Sequence, residues 1–281
     1  MAIVIGLYNR KGGVGKSSAA INLAAELALK KKKALIIDGD SQINLTQFFF
    51  EEDENVFENG EIKKDVKTLY DVLEGEDIEK AIRKLEFTGT KKMGNRFKKN
   101  VCALDVIPGS HDMDYYAAED MGVLRKKLLE IKEYDYIFID FPPAHNTVTM
   151  TYLVASDYIV SPLHLAKNTS TYGYKEVIER CREARKDYGN TELKILGSFY
   201  INTQLYKADQ KVLYEVSMEK QTKEALRLFE ANIKCDYSSM QRSESEGKPL
   251  CICCRNSEVA KNYKKLAVEM EKRIRTDRGG K

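Results

Sequence analysis

Residues 10–18 read Arg-Lys-Gly-Gly-Val-Gly-Lys-Ser-Ser. Glycines at this spacing let the backbone curl, so that successive N–H groups point at one anion. A lysine and a hydroxyl directly after the last glycine then meet a phosphate chain and a magnesium ion. Such a loop needs a strand before it and a helix after it. Ile3-Val4-Ile5-Gly6-Leu7 is an apolar run, and a helical pattern opens at Ala19. The helix N-terminus adds its own partial positive charge. Gly12, Gly13, Val14, Gly15, Lys16, Ser17 and Ser18 are therefore the candidate phosphate-binding residues. Lys16 is read onto the β/γ-phosphates and Ser17 onto Mg²⁺.

Two acidic strand ends fit beside this loop. In Ala34-Leu35-Ile36-Ile37-Asp38-Gly39-Asp40-Ser41-Gln42, an apolar run stops at two aspartates one residue apart. At the carboxyl end of a parallel strand they face the crevice where ligands bind. Tyr136-Ile137-Phe138-Ile139-Asp140-Phe141-Pro142-Pro143 is a second apolar run ending in an acid. An aspartate at that place holds Mg²⁺ in nucleotide-binding enzymes. The two prolines stiffen the loop that follows, because each ring fixes φ.

The glycine loop departs from the common G-x-x-x-x-G-K-[ST] pattern. Arg10 stands where the first glycine belongs, and a second lysine, Lys11, precedes Gly12. This K-G-G-x-G-K-[ST] form resembles the deviant Walker A loop of the ParA/MinD/nitrogenase-iron-protein superfamily. D-x-D-x-Q at 38–42 and D-x-P-P at 140–143 resemble the switch segments of its ParA/Soj partition branch. Thr68-Leu69-Tyr70-Asp71-Val72-Leu73, the strand end Leu104–Ser110, Ala155–Pro162 and Gly247-Lys248-Pro249-Leu250 extend the likeness over nearly the whole chain.

The resemblance implies several things beyond the residues themselves. Lys11 would cross a dimer interface to the partner's nucleotide, a cation in trans worth roughly 10³–10⁵ in rate in well-studied NTPases. Asp40 would position or activate the attacking water, and Asp38 would support the metal shell. Asn202 would contact adenine. The cofactors would be ATP and Mg²⁺. The ATP-bound homodimer would bind DNA without sequence preference, through Lys207, Lys211, Lys220, Lys223 and Arg242. A ParB-like centromere-binding protein would stimulate hydrolysis, and the output would be partition of a plasmid, integrative element or chromosome. The alternative is a MinD-like or orphan positioning ATPase that acts on a membrane or a protein cargo.

The elements that must hold these residues alternate between strand and helix. Strand candidates are 2–8, 34–38, 102–107, 136–140, 158–162 and 195–202. Helix candidates are 17–31, 68–75, 77–85, 122–131, 174–188, 209–229 and 257–275. Such alternation predicts an α/β fold, a doubly wound, mostly parallel sheet with helices on both faces, of the P-loop NTPase type. The expected organisation is a single ATPase domain over 1–281 with an irregular charged excursion at about 50–100. Within it, residues 51–61 hold six acids and no base, and residues 91–99 hold five bases and no acid. These read as solvated loops, with a DNA-touching basic hairpin at 91–99 as the other reading.

The remaining features exclude more than they suggest. A net charge of +3 permits nucleic-acid binding without arguing for it. No apolar run approaches the ~20 residues of a membrane span, and a cytoplasmic, nucleoid-associated protein is expected. The six cysteines read as reduced thiols. Cys251-Ile252-Cys253-Cys254 lacks the second pair of a metal site and is expected near a strand end. His111, His145 and His164 show no ligand spacing. In the tail, Tyr263, Leu266, Ala267, Met270 and Ile274 recur at the spacing of a core-facing helix rather than a lipid-binding one.

Overall fold

The computed structural model describes residues 1–93, 96–144, 146–164, 170–201 and 226–280. Strand β1 (Ile3–Leu7) leads through the glycine loop into α1 (Lys16–Ala28), then β2 (Ala34–Asp38) and α2 (Asn44–Phe50). A two-stranded hairpin, β3 (Phe57–Glu58) and β4 (Glu61–Ile62), and two short helices, α3 (Leu69–Leu73) and α4 (Ile78–Ala81), follow. Next come β5 (Arg83–Met93), β6 (Arg96–Ile107), α5 (Val123–Glu130) and β7 (Tyr136–Asp140). The described chain ends with α6 (Thr147–Ala155), β8 (Tyr158–Leu163), α7 (Ser170–Lys186), β9 (Lys194–Tyr200), α8 (Tyr237–Ser245), α9 (Leu250–Cys253) and α10 (Glu258–Asp277).

Seven strands form one sheet in the order β5-β6-β2-β7-β1-β8-β9. All neighbours are parallel except β5 and β6, which pair as an antiparallel ribbon at one edge. The inner strands are buried on both faces, which is why β2 and β7 read as unbroken apolar runs rather than alternating ones. On one face, α1 and α10 pack around Leu23, Leu27, Leu266 and Met270. On the other, α6 is buried on all sides, as a helix apolar all round must be. The doubly wound parallel sheet expected from the alternation is thus observed.

Several boundaries differ from the sequence expectation. The helix expected over 77–85 stops at Ala81, and Arg83 onward is strand, because Leu85 and Phe87 alternate with polar residues and pair with Leu104 and Cys102. The expected irregular excursion is therefore partly a regular ribbon, and β6 begins at Arg96 rather than Cys102. Cys251-Ile252-Cys253 lies in α9, not at a strand end. The described end of the 209–229 segment is not helical: Leu228 bridges Ser198. The helix α2 was not anticipated, because Phe48-Phe49-Phe50 has no helical period. Tyr263, Leu266, Ala267, Met270 and Ile274 are buried, so α10 is the core-facing helix expected.

One buried side chain closes α6. Asn190 Nδ2 donates to the carbonyls of Leu153, Val154 and Ser156 at 3.0, 3.1 and 2.8 Å. The last carbonyls of a helix need such partners when water is excluded. Asn190→Ala removes all three bonds, leaving Leu153 O to Ser156 N and Val154 O to Arg125, and is expected to lower stability by about 1–3 kcal/mol. An unchanged denaturant midpoint would rule this clamp out.

Candidate functional site

The glycine loop takes its shape from two left-handed residues, Gly13 (φ 68°) and Gly15 (φ 77°). Side chains are strained there, which explains the glycine spacing. A Cβ at Gly12 or Gly13 would meet nothing within 4 Å, so the loop surface is open to a ligand. Asn9 fixes where the loop begins: its Nδ2 donates to Pro162 O at 2.8 Å, and its Oδ1 accepts from Lys11 N at 3.0 Å. Arg10, in the place of the missing glycine, pairs with Glu176 of α7 at 2.7 Å. Val14 is buried and contributes only backbone to the loop.

Lys16 is 6% exposed. Its Nζ reaches Lys11 O at a long 3.5 Å. Burial lowers its pKa, while the charges of Asp140 and Asp40 act against that shift. Lys11 is half-buried. Its charge lies close enough to His164 to add to the lowering of that imidazole's pKa, which burial begins.

The two strand-end acids are register partners, Asp38 on β2 opposite Asp140 on β7. Asp38 is fully buried and accepts at Oδ2 from Thr46 N (2.8 Å) and Thr46 Oγ1 (2.6 Å). Gly109 N in turn donates to Thr46 Oγ1 at 2.8 Å. Thr46 therefore ties α2, β2 and the end of β6 to one carboxylate. Asp140 differs: neither of its buried oxygens has a hydrogen-bond partner. Burial, then the charge of Asp38, pushes its carboxyl up to about 8, with the nearby Ser17 hydroxyl acting the other way. Burial likewise raises Asp38, to about 6, against the Thr46 hydrogen bonds. Between them, Gly39 has no room for a side chain, since a Cβ would lie 2.6 Å from Asp140 O.

Such an uncompensated pair is costly without a cation. Two orphaned carboxylate oxygens beside a serine hydroxyl are a hard oxygen donor set, which fits Mg²⁺. Asp40, one turn further, accepts from Gln42 N at 3.1 Å. Burial raises its pKa, with the Gln42 N–H and the charge of Lys16 opposing.

These groups converge on a cavity of about 580 Å³, within the range of small-molecule sites. Gly12, Gly13, Val14, Gly15, Lys16, Ser17, Ser18 and Asp40 all line it. Asp38 and Asp140 are not part of its lining, although the charge of Asp140 reaches Lys16, which is. Arg242 is instead half turned away on α8, paired with Glu246 at 2.6 Å. Asn202, Lys207, Lys211, Lys220 and Lys223 lie outside the described residues, as does His145. The sequence reading missed the opposite wall, which is made by Phe48 of α2 and by Met240, Ser243 and Glu244 of α8. Asn22 Oδ1 holds that wall to α1 through Leu250 N at 2.9 Å. Among the described residues, no group of three or more His, Cys, Asp or Glu side chains forms a separate metal site.

A strand, a glycine loop opening a helix, a buried lysine and two acids at adjacent parallel strand ends define a nucleotide-binding P-loop protein. Comparison with known proteins narrows the class. A family model described as an AAA domain matches residues 2–195. The chromosome-partitioning ATPase Soj of Treponema pallidum is 29% identical over 270 residues, covering 93% of this chain and 94% of its own. Apo McdA of Cyanothece shares the fold with a TM-score of 0.74 at 19% identity, covering 96% of this chain and 100% of that one. A plasmid partition protein of Borrelia burgdorferi, solved with AMPPNP, gives 0.71 at 23% identity over 98% of this chain and 100% of that one. The chain belongs to this AAA-domain family, among the ParA/Soj-type ATPases of the deviant Walker A superfamily.

Proposed function

We propose that residues 1–281 act as one ATPase domain that switches between a free state and an ATP-bound homodimer, and that the dimer binds DNA without sequence preference. The observation that carries this reading is the pair of lysines on one loop. Lys16 is buried in the site, whereas Lys11 is half-buried and joins the loop through its backbone, with N to Asn9 and O to Lys16. The loop N–H groups and Lys16 hold the β/γ-phosphates. Ser17 and Asp140 hold Mg²⁺, with Asp38 adding charge behind them. When bound, that ion neutralises charge on the phosphate oxygens. Asp40 orients the attacking water and accepts its proton. Lys11 reaches the nucleotide of the partner subunit. A ParB-like protein stimulates the slow hydrolysis, and release from DNA moves a plasmid, integrative element or chromosome origin. The protein would then sit on the nucleoid.

The burial of the α10 apolar face supports DNA over a lipid surface, since that helix is committed to α1. No described helix is long and apolar enough to cross a membrane.

The test uses Asp40→Ala, which is expected to bind ATP yet turn over at least about 100-fold more slowly, the scale of a lost general base. This variant holds the ATP state. Its binding to a random-sequence duplex is measured with ATP and with ADP, at low and moderate salt. ATP-dependent, salt-sensitive binding is the expected result. Wild-type turnover would remove Asp40 from the chemistry, and an ATP-bound dimer indifferent to DNA would remove the DNA reading.

A further inference from the structure

The edge ribbon β5–β6 contributes no residue to the lining of the nucleotide cavity. Strand β2 pairs with β6 only through Leu35–Ile37 against Asp105–Ile107. Beyond that contact the ribbon continues from Leu85↔Leu104 to Met93↔Arg96 with no further sheet neighbour among the described residues. Because β6 runs parallel to β2, its Arg96 end points away from the strand ends that carry Asp38 and Asp140. Gly89 still meets Ile252 of α9. The four pairs after it, Thr90↔Lys99 to Met93↔Arg96, extend about 14 Å at ~3.4 Å per residue.

The ribbon's composition is one-sided. From Phe87 to Leu104 there are five bases, Lys91, Lys92, Arg96, Lys98 and Lys99, and no acid. Lys91 and Lys98 are register partners. Like charges at directly opposed positions weaken an antiparallel pair. At the ribbon's base, Lys31, Lys32, Lys33 and Lys84 are exposed around a cavity of about 600 Å³ that Val101 and Ala103 also line. Three acids temper this cluster: Asp105 also lines the cavity, Lys33 pairs with Glu133 at 3.1 Å and Lys32 with Asp135 at 3.5 Å. Lys31 and Lys84 make no ion pair among those present in the described residues.

We propose that this ribbon is a DNA-binding arm, which holds the phosphate backbone of a duplex whatever nucleotide the site contains. A polyanion would offset the run of like charge that the sequence places along this ribbon. A two-stranded ribbon is also the width that the major groove of B-form DNA admits, whereas the deep, narrow groove of an RNA duplex excludes it. The arm extends the DNA reading given above, but does not depend on the ATP-driven dimer. Its task is to keep the protein near DNA while the switch is off.

Edge strands also carry lysines simply to block edge-to-edge pairing. Charge reversal separates the two roles, because glutamates guard an edge as well as lysines do. The full-length protein is compared with K91E/K98E/K99E and with a control, K80E/K126E/K132E, of equal charge change away from the ribbon. Binding to a random duplex is measured with ATP, with ADP and with no nucleotide. Retained ATP binding shows that each variant is folded, and K91Q/K98Q/K99Q serves if the reversal is not. The ribbon variant is expected to lose at least about 10-fold in affinity in all three states, with the salt slope reduced by about 3, while the control changes little. Equal losses in both variants, or wild-type binding by the ribbon variant, overturn the arm. So does loss of binding only to phosphatidylglycerol-containing vesicles, or only to duplex RNA. Wild-type DNA binding that depends on ATP but not on the ribbon lysines leaves the switch standing and removes the arm. The reverse pattern leaves the arm and removes the switch.

Discussion

Lys16→Ala is expected to abolish ATP binding at any concentration reached in the cell. Lys16 is buried at 6% exposure, so its ammonium meets phosphate in a site with little water to screen it. Removing one partner from a buried charge pair costs about 2–5 kcal/mol, which is roughly 30- to 4,000-fold in affinity at 1.4 kcal/mol per tenfold. The upper half of that range applies here, because the same ammonium also offsets Asp140 and Asp40. Without it, the phosphates approach two acids with one fewer cation between them. The loop itself should survive, since its shape comes from Gly13, Gly15 and Asn9 rather than from this side chain. Titration with a fluorescent ATP analogue, alongside circular dichroism, reads both effects. Near-normal affinity in a folded Lys16→Ala protein would refute the assignment of the loop.

The phosphate half of the site was legible in the sequence because its chemistry is local. Gly13 and Gly15 need positive φ, Lys16 and Ser17 follow at once, and strand and helix flank them within a few residues. Asp38 and Asp140 were legible as strand ends, but their pairing is a fact of register between β2 and β7. The difference between them rests on Thr46, an unremarkable residue in a helix with no period. The far wall of the cavity was not legible at all. Met240, Ser243 and Glu244 come from a helix more than two hundred residues along the chain, and only packing through Asn22 and Leu250 brings them to the loop. Arg242 shows the same limit in reverse: its neighbours line the cavity, yet it pairs with Glu246. The ribbon at 83–107 departs from the sequence expectation at Arg83–Leu85, the end of the helix expected over 77–85, which begins the alternating run of β5 instead. The partner strand that decides it lies some fifteen residues further on.

Lys11→Ala separates the two lysines, and is expected to leave ATP binding within a few-fold of normal while turnover falls by about 10³ or more, the scale of a cation supplied in trans. The Lys11 backbone supplies two loop contacts, N to Asn9 and O to Lys16. Alanine keeps them, so the loop keeps its shape. On the proposed reading, what the variant loses is the charge that reaches the partner's nucleotide. ATP-dependent dimerisation, followed by sedimentation with a non-hydrolysable analogue, should be lost or sharply weakened. A trans role makes a further demand that no local role makes. In a mixed dimer of Lys11→Ala and Asp40→Ala chains, the Asp40→Ala chain supplies Lys11 to a site that still has Asp40, while the other site lacks both. Each mixed dimer therefore holds one complete site, and equal mixing should recover turnover well above that of either nearly inactive protein alone. Mixtures no more active than their components would mean that Lys11 serves its own site, and the face-to-face dimer would lose its main support.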